Sequence, residues 1–278
     1  MSDTESVNSS SHEPFKLDAS FAQSPYFIPA SLLVALIAVI AVVFITRRSS
    51  KARGNVLLLV GAPDAGKTAI LSELVYGQTV PTHTSLQTNV SLLNAPGKKH
   101  PMRVVDIPGH PRIRDQFKEF LDDAKAVVFV VDANTVSRNG AAVAEHLHSV
   151  MKSILSLPPS HKLPPVLILA HKTDLLKSSA TADSNSLAID RVQKVLQREL
   201  EKRRIAQSGG MGVETMGSED EKSDVSGLEC TTQGGVFQFE SWDGGDIVFL
   251  GSSVRQQGES EKSAVGLQAF QEWLDENM

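Results

Sequence analysis

Residues 56–68 read VLLLVGAPDAGKT, and this stretch decides the fold. The unbroken apolar run Val56–Val60 has the length and composition of a strand buried on both faces. Gly61-Ala62-Pro63-Asp64-Ala65-Gly66-Lys67-Thr68 then satisfies G-x-x-x-x-G-K-[ST], and a helical pattern over Lys67–Tyr76 follows it. Gly61 and Gly66 let backbone N–H groups come close to phosphate oxygens, with Asp64 and Ala65 completing the cradle. Lys67 is placed to reach the β- and γ-phosphates, and Thr68 to offer its hydroxyl to Mg²⁺ at the helix N-terminus. Strand, loop and helix in that order predict a nucleotide site.

Working outward, short apolar runs continue to alternate with amphipathic stretches. Met102–Val105, Ala126–Val131, Val166–Ala170 and Ile247–Leu250 read as buried strands, with Val90–Leu93 as an added edge strand. Helical patterns cover 112–123, 140–157, 187–205 and 263–276. The alternation implies an α/β fold: a mostly parallel sheet with helices on both faces, in one domain over 56–278. Residues 206–235 are rich in Gly, Ser and acids without apolar periodicity, and read as a flexible acidic insertion.

Composition narrows the function. The chain has 278 residues, 41% hydrophobic and 21% charged, in the range of globular proteins. A net charge of −5 argues against a broadly nucleic-acid-binding surface, and no sequence-specific nucleic-acid contact is expected. A lone cysteine, Cys230, excludes an intramolecular disulfide framework and a multi-cysteine metal site.

The base and the switch elements come next. Asp106-Ile107-Pro108-Gly109-His110 ends the Met102 strand as a D-x-P-G loop; Asp106 is expected to hold Mg²⁺ through water and the Gly109 N–H to meet the γ-phosphate. His171-Lys172-Thr173-Asp174 ends the Val166 strand and matches N-K-x-D except at its first position. A carboxylate at Asp174 accepts from guanine N1–H and N2–H₂, a donor pair that adenine lacks, and Lys172 would lay its aliphatic stem over the base. His171 can make only some of the bonds an asparagine makes to the phosphate loop. Ser253-Val254-Arg255, between the last strand and the last helix, is the candidate base clamp, in preference to the segment around Cys230. Between the first helix and the second strand, Thr84 is the candidate ligand for Mg²⁺ and the γ-phosphate, with Thr82 as the alternative. His110 stands where a glutamine commonly orients the attacking water, and no arginine finger is evident; slow intrinsic hydrolysis that needs a partner is expected. An ATPase of the ABC or AAA type would need an acidic pair closing a second strand, which Val104-Val105-Asp106-Ile107-Pro108 lacks.

Phe27–Ile45 carries no charge over nineteen residues, a helix of roughly 28 Å, enough for a bilayer core. Asp3, Glu5, Glu13 and Asp18 precede it; Arg47, Arg48, Lys51 and Arg53 follow. The positive-inside rule then gives a short tail (1–24) across the membrane, one transmembrane helix (25–46), a basic linker (47–55) and a cytosolic domain.

These elements together resemble the beta-subunit family of the signal recognition particle receptor, which are membrane-anchored, Arf-like small GTPases with a P-loop fold. The likeness rests on the D-x-P-G-H loop, Thr82-His83-Thr84-Ser85, Phe249-Leu250-Gly251-Ser252-Ser253, the insertion at 206–246, and Leu267-Gln-Ala-Phe-Gln-Glu-Trp273-Leu274. It implies GTP and GDP with Mg²⁺ as ligands, the endoplasmic reticulum membrane as location, and the receptor's alpha subunit as partner, recruited in the GTP state. A place beside the ribosome and translocon in co-translational targeting also follows from it. Two other readings stay open: an Arf-like membrane-traffic GTPase, and a scaffold that holds nucleotide without cycling. Myristoylation is closed as an anchor because Ser2 follows Met1.

Overall fold

The computed structural model describes residues 35, 54–94, 101–159, 161–176, 183–209, 228, 236–254 and 266–277. All but Ala35 belong to the unit Lys51–Met278. The rest of the apolar 27–45 segment, the residues flanking it and Cys230 lie outside the described residues. Among those described, no helix is long and apolar enough to cross a membrane.

Six strands form one sheet: β1 (Val56–Gly61), β2 (Asn89–Leu93), β3 (Met102–Asp106), β4 (Ala124–Asp132), β5 (Val166–His171) and β6 (Ile247–Gly251), in the order β2-β3-β1-β4-β5-β6. The order reverses at β1, which opens a crevice at the carboxyl ends of the strands, where α/β sheets bind ligands. All pairings are parallel except β2 with β3. β1 and β5 are buried throughout, as unbroken apolar runs demand, whereas β2 alternates between half-buried and exposed residues, as an edge strand does.

Helices cover both faces. On one, α1 (Lys67–Tyr76) and α5 (Gln268–Asn277) bring Ile70, Leu71, Phe270 and Trp273 against Leu57, Leu59, Val128 and Leu169. On the other, α2 (Phe117–Leu121), α3 (Val136–Leu155) and α4 (Ser184–Gly209) bring Phe117, Leu147, Val192 and Leu196 against Leu58, Val60, Phe129 and Ile168. His146 of α3 is 1% exposed. Its ring stands edge-on to Phe129 at 5.3 Å. Burial holds its pKa down at about 3, so the ring is neutral.

The last helix starts at Gln268 rather than 263, and three other departures from the sequence expectation bear on the domain. The helix expected over 112–123 is a 3₁₀ turn, Arg114–Gln116, followed by the short α2, because the His110 carbonyl first accepts both the Ile113 and the Arg114 N–H groups. Helix α3 starts four residues earlier than 140, where the Asp132 carboxylate accepts from the Asn134 and Thr135 N–H groups. Within 206–235, α4 runs on to Gly209, and Leu228 is 1% exposed in the core, so that stretch touches the domain.

Candidate functional site

The phosphate loop is shaped by two left-handed residues, Asp64 (φ 57°) and Gly66 (φ 99°). Gly66 caps α1 with no side-chain bond, leaving the first N–H groups of the helix directed into the cleft. A Cβ at Gly66 would overlap the His171 ring, with Nε2 at 2.7 Å. Lys67 runs back beneath the loop, and its Nζ donates to the Gly61 (2.9 Å) and Ala62 (2.8 Å) carbonyls. Burial pushes its pKa down to about 8, against the opposing pull of Asp106 and Asp64.

Beside it, Thr68 Oγ1 donates to Asp106 Oδ2 (2.7 Å) and lies 2.9 Å from Ser85 Oγ. Asn89 Nδ2 also donates to Asp106 Oδ2 (3.2 Å). Asp106 is fully buried, and its Oδ1 has no hydrogen-bond partner among the described residues. Burial raises its pKa, opposed by the Thr68 hydrogen bond, by Lys67 and by Asn89. An orphaned carboxylate oxygen among hydroxyls fits Mg²⁺, which takes hard oxygen ligands and keeps several waters. Among the described residues no cluster of His, Cys, Asp or Glu could cage a metal without help from ligand or water.

At the far end, β4 and β5 pair with Asp132 opposite His171. His171 is buried, with Nδ1 2.9 Å from Ser252 Oγ. Burial holds its pKa down at about 4, so the imidazole is neutral. Lys172 adopts a left-handed conformation (φ 63°) that turns its side chain back over the phosphate loop. Its Nζ donates to the Asp64 carbonyl (2.6 Å) and to Asp132 Oδ2 (2.8 Å). Asp132 is itself half-buried, which favours the neutral acid, but the Lys172 bond and charge together with the two backbone N–H groups hold its carboxyl below the usual range. The Thr173 N–H donates to the Ser252 carbonyl and the Ser252 N–H to the Ala170 carbonyl, tying the loops after β5 and β6 together.

These elements enclose a cleft of about 810 Å³. Asp64, Gly66, Lys67, Thr68, Thr82, Thr84, Gly109, His171, Lys172, Asp174 and Val254 line it. Of the other residues singled out in the sequence, Gly61, Ala65 and Asp106 lie behind this lining within the strand ends and the loop; Ser253 is half-buried beside Val254. His110 stands apart, exposed, with Nδ1 accepting the Arg112 N–H at 3.3 Å. Thr84 Oγ1 donates to Asp64 Oδ1 (2.7 Å), so the hydroxyl nearest Thr68 belongs to Ser85. Arg255 lies outside the described residues.

Sequence reasoning gave no site role to Ser85, Asn89, Asp132 or Ser252. Only Asp132 left a local signal: an acid at a strand end followed by Asn-Thr, an N-capping pattern.

Residues 52–245 match the family model described as the signal recognition particle receptor beta subunit. The mouse signal recognition particle receptor subunit beta is 28% identical over 249 residues, 89% of this chain and 85% of that protein. The structure of the mammalian receptor aligns with a TM-score of 0.61 at 25% identity, covering 80% of this chain and all of the other. Two receptor structures from Chaetomium thermophilum, an SRb-GTP/SRX complex and SRb-GDP, share the fold at TM-scores of 0.50 and 0.51 and identities of 21% and 24%, each covering 82% of this chain and all of the other. With its fold and more than half of its length in agreement, the chain belongs to the signal recognition particle receptor beta subunit family, a group of small GTPases.

Proposed function

We propose that this chain is the membrane-anchored, GTP-binding subunit of a signal recognition particle receptor. The observation that carries the reading is the cleft itself, where the phosphate loop, the Asp106 loop, Thr84 and the His171–Asp174 loop converge on one nucleotide-sized space. Backbone N–H groups at the start of α1 and the Lys67 ammonium receive the β- and γ-phosphates. Asp174 accepts from guanine N1–H and N2–H₂, Lys172 covers one face of the base, and Val254 borders it with Ser253 behind. Thr68, Thr84 and, through water, Asp106 hold Mg²⁺, which when bound offsets charge on the phosphate oxygens.

In the GTP state the Gly109 N–H turns to the γ-phosphate and Thr84 leaves Asp64. The 81–88 and 106–114 loops then settle into a docking surface for the alpha subunit. Tyr76, Val80, Leu86, Val90 and Leu92, all exposed along α1, the 79–88 loop and the β2 edge, suit such a contact. The 25–46 helix holds this domain on the cytosolic side of the endoplasmic reticulum membrane, with the 1–24 tail lumenal. The assembled receptor delivers ribosome–nascent-chain complexes to the translocon.

One observation favours a second reading, a subunit that holds nucleotide without cycling: His110 is not among the residues lining the cleft, and its ring accepts from its own turn. The test uses the full chain in detergent, titrated with fluorescent GTP, GDP and ATP analogues in Mg²⁺ and then with the alpha-subunit N-terminal domain. Guanine preference with partner binding in GTP alone supports the switch. Partner binding indifferent to GTP or GDP supports the scaffold, and equal binding of ATP overturns both.

A further inference from the structure

Resting on the nucleotide reading above, we propose that Asp132 is a positioning residue of the base site, holding the Lys172 stem in its base-covering pose before nucleotide arrives. Asp132 is not among the residues that line the cleft. The β4–β5 register sets it opposite His171, one residue from Lys172.

Both of its oxygens are committed. Oδ1 accepts from the Asn134 (2.8 Å) and Thr135 (3.1 Å) N–H groups, which fixes the carboxylate to the start of α3. Oδ2 accepts from Lys172 Nζ at 2.8 Å, and the same ammonium donates to the Asp64 carbonyl at 2.6 Å. The lysine is thereby strung between a fixed anion and the phosphate loop, with its methylenes along the base end of the cleft. An exposed ion pair would contribute little. Here the two side chains are 13% and 28% exposed, and the anion is pinned by backbone. A lysine otherwise samples many rotamers, and prior immobilisation spares the ligand that ordering step. The carboxylate acts on the residence of any guanine nucleotide, while base identity is read elsewhere, by Asp174.

The test uses full-length chain in detergent micelles. It measures dissociation of fluorescent GDP and competition by GDP and inosine diphosphate, which lacks the N2 amino group. Asp132→Ala and Lys172→Met should each speed dissociation about tenfold, and the double variant should be no faster than either single one. The GDP-to-inosine-diphosphate ratio should stay at the unsubstituted value, because Asp174 is untouched. Asp132→Asn keeps the two backbone acceptor bonds through Oδ1 while removing the lysine's acceptor. It should reproduce the faster dissociation at an unchanged melting temperature, which separates positioning from folding. An Asp132→Asn off-rate within twofold of the unsubstituted chain overturns the proposal. So does a further acceleration by Asp132→Asn on the Lys172→Met background, or a collapse of the nucleotide ratio. Failure of the unsubstituted chain to bind GDP is read without any variant, and it overturns the nucleotide reading and this one with it.

Discussion

The two ends of the cleft are built differently. At the base end, His171, Lys172 and Thr173 are fixed by groups on adjacent strand ends: the His171 carbonyl accepts from the Ala133 N–H, the Thr173 N–H donates to Ser252, and the imidazole is wedged between Gly66 and Ser252. At the γ-phosphate end, Thr82, His83 and Thr84 are exposed, and the contacts that hold them are exchangeable side-chain bonds, Thr84 on Asp64 and Ser85 against Thr68. A site whose ligands are held by strand-end backbone reads its target in every state. A site whose loops bond only to one another rearranges once a ligand offers better partners. On the proposed function, recognition and switching therefore occupy opposite ends of one cleft.

The largest expected effect falls on the base end. Asp174→Asn replaces an acceptor carboxylate with an amide that presents one acceptor and one donor to two donors of guanine. Charge-assisted hydrogen bonds contribute about 1.5–3 kcal/mol each, so GTP and GDP affinity should fall together by roughly 10²–10³-fold. Equal loss for the two nucleotides is the informative part, measured by titration in Mg²⁺. A loss confined to GTP would mean that the base loop also senses the γ-phosphate, and the division between the ends would fail.

Next in size is the acid response, because each end rests on a buried neutral histidine: His171 under the phosphate loop, and His146 beside Phe117, which follows the Asp106 loop. Both native pKa values, about 4 and about 3, lie below the ordinary 6.5. The unfolded chain takes up these protons first, so the stability they confer is whole above pH 6.5 and is lost as pH falls toward 4 and 3. At pH 5 each histidine should account for about 2 kcal/mol of lost stability. His146→Leu should remove its share and raise acid stability, seen in denaturant melts at pH 7.5 and 5. Saturating GDP should protect the His171 share and leave the His146 share alone. Protection of both shares would couple the ends.

Much of this division was legible in the sequence, and the reasons it stops are physical. Strand β1, the phosphate loop and α1 are contiguous, so local rules reach them; His171-Lys172-Thr173-Asp174 is likewise one strand end. What closes the site is not contiguous. Asp132 finds Lys172 across 40 positions and Ser252 finds His171 across 81, through strand register that periodicity does not specify. Gly109 is a similar case. The D-x-P-G spelling suggests a turn, whereas the fold brings its Cα so close to the phosphate loop that a Cβ would lie 2.6 Å from the Gly61 carbonyl oxygen. The 206–235 composition argued for a flexible insertion in the domain and gave no sign that one leucine in it, Leu228, is in the core, because a single anchor leaves no periodic trace.

A smaller effect should distinguish neighbours at the switch end. Thr84→Ala should reduce the preference for GTP over GDP in Mg²⁺ by about tenfold, the order of one charge-assisted contact, with GDP affinity unchanged. Ser85→Ala, despite its 2.9 Å approach to Thr68, should keep that preference within twofold. The reverse outcome would make Ser85 the ligand, and Thr84 would then serve only as the latch on Asp64.

In the isolated chain the smallest effect is expected at His110. Its ring accepts the Arg112 N–H while its carbonyl accepts from Ile113 and Arg114, so the side chain is turned onto its own loop rather than toward the phosphates. Orienting water requires hydrogen-bond reach of the attacking water, and swinging this ring inward means breaking the bond from the Arg112 N–H. Single-turnover hydrolysis by the isolated full chain should therefore be slow, and His110→Ala should change it by less than about threefold, the size of a contact not made in the reacting state. With the alpha-subunit domain bound, the same substitution should cost about 10²-fold, a usual contribution for one positioned proton acceptor. A loss of similar size in both settings would place the ring in the cleft without help. The γ-phosphate end would then be pre-assembled like the base end. Indifference in both would take His110 out of the reaction and leave the nucleotide as a fixed support for the docking surface.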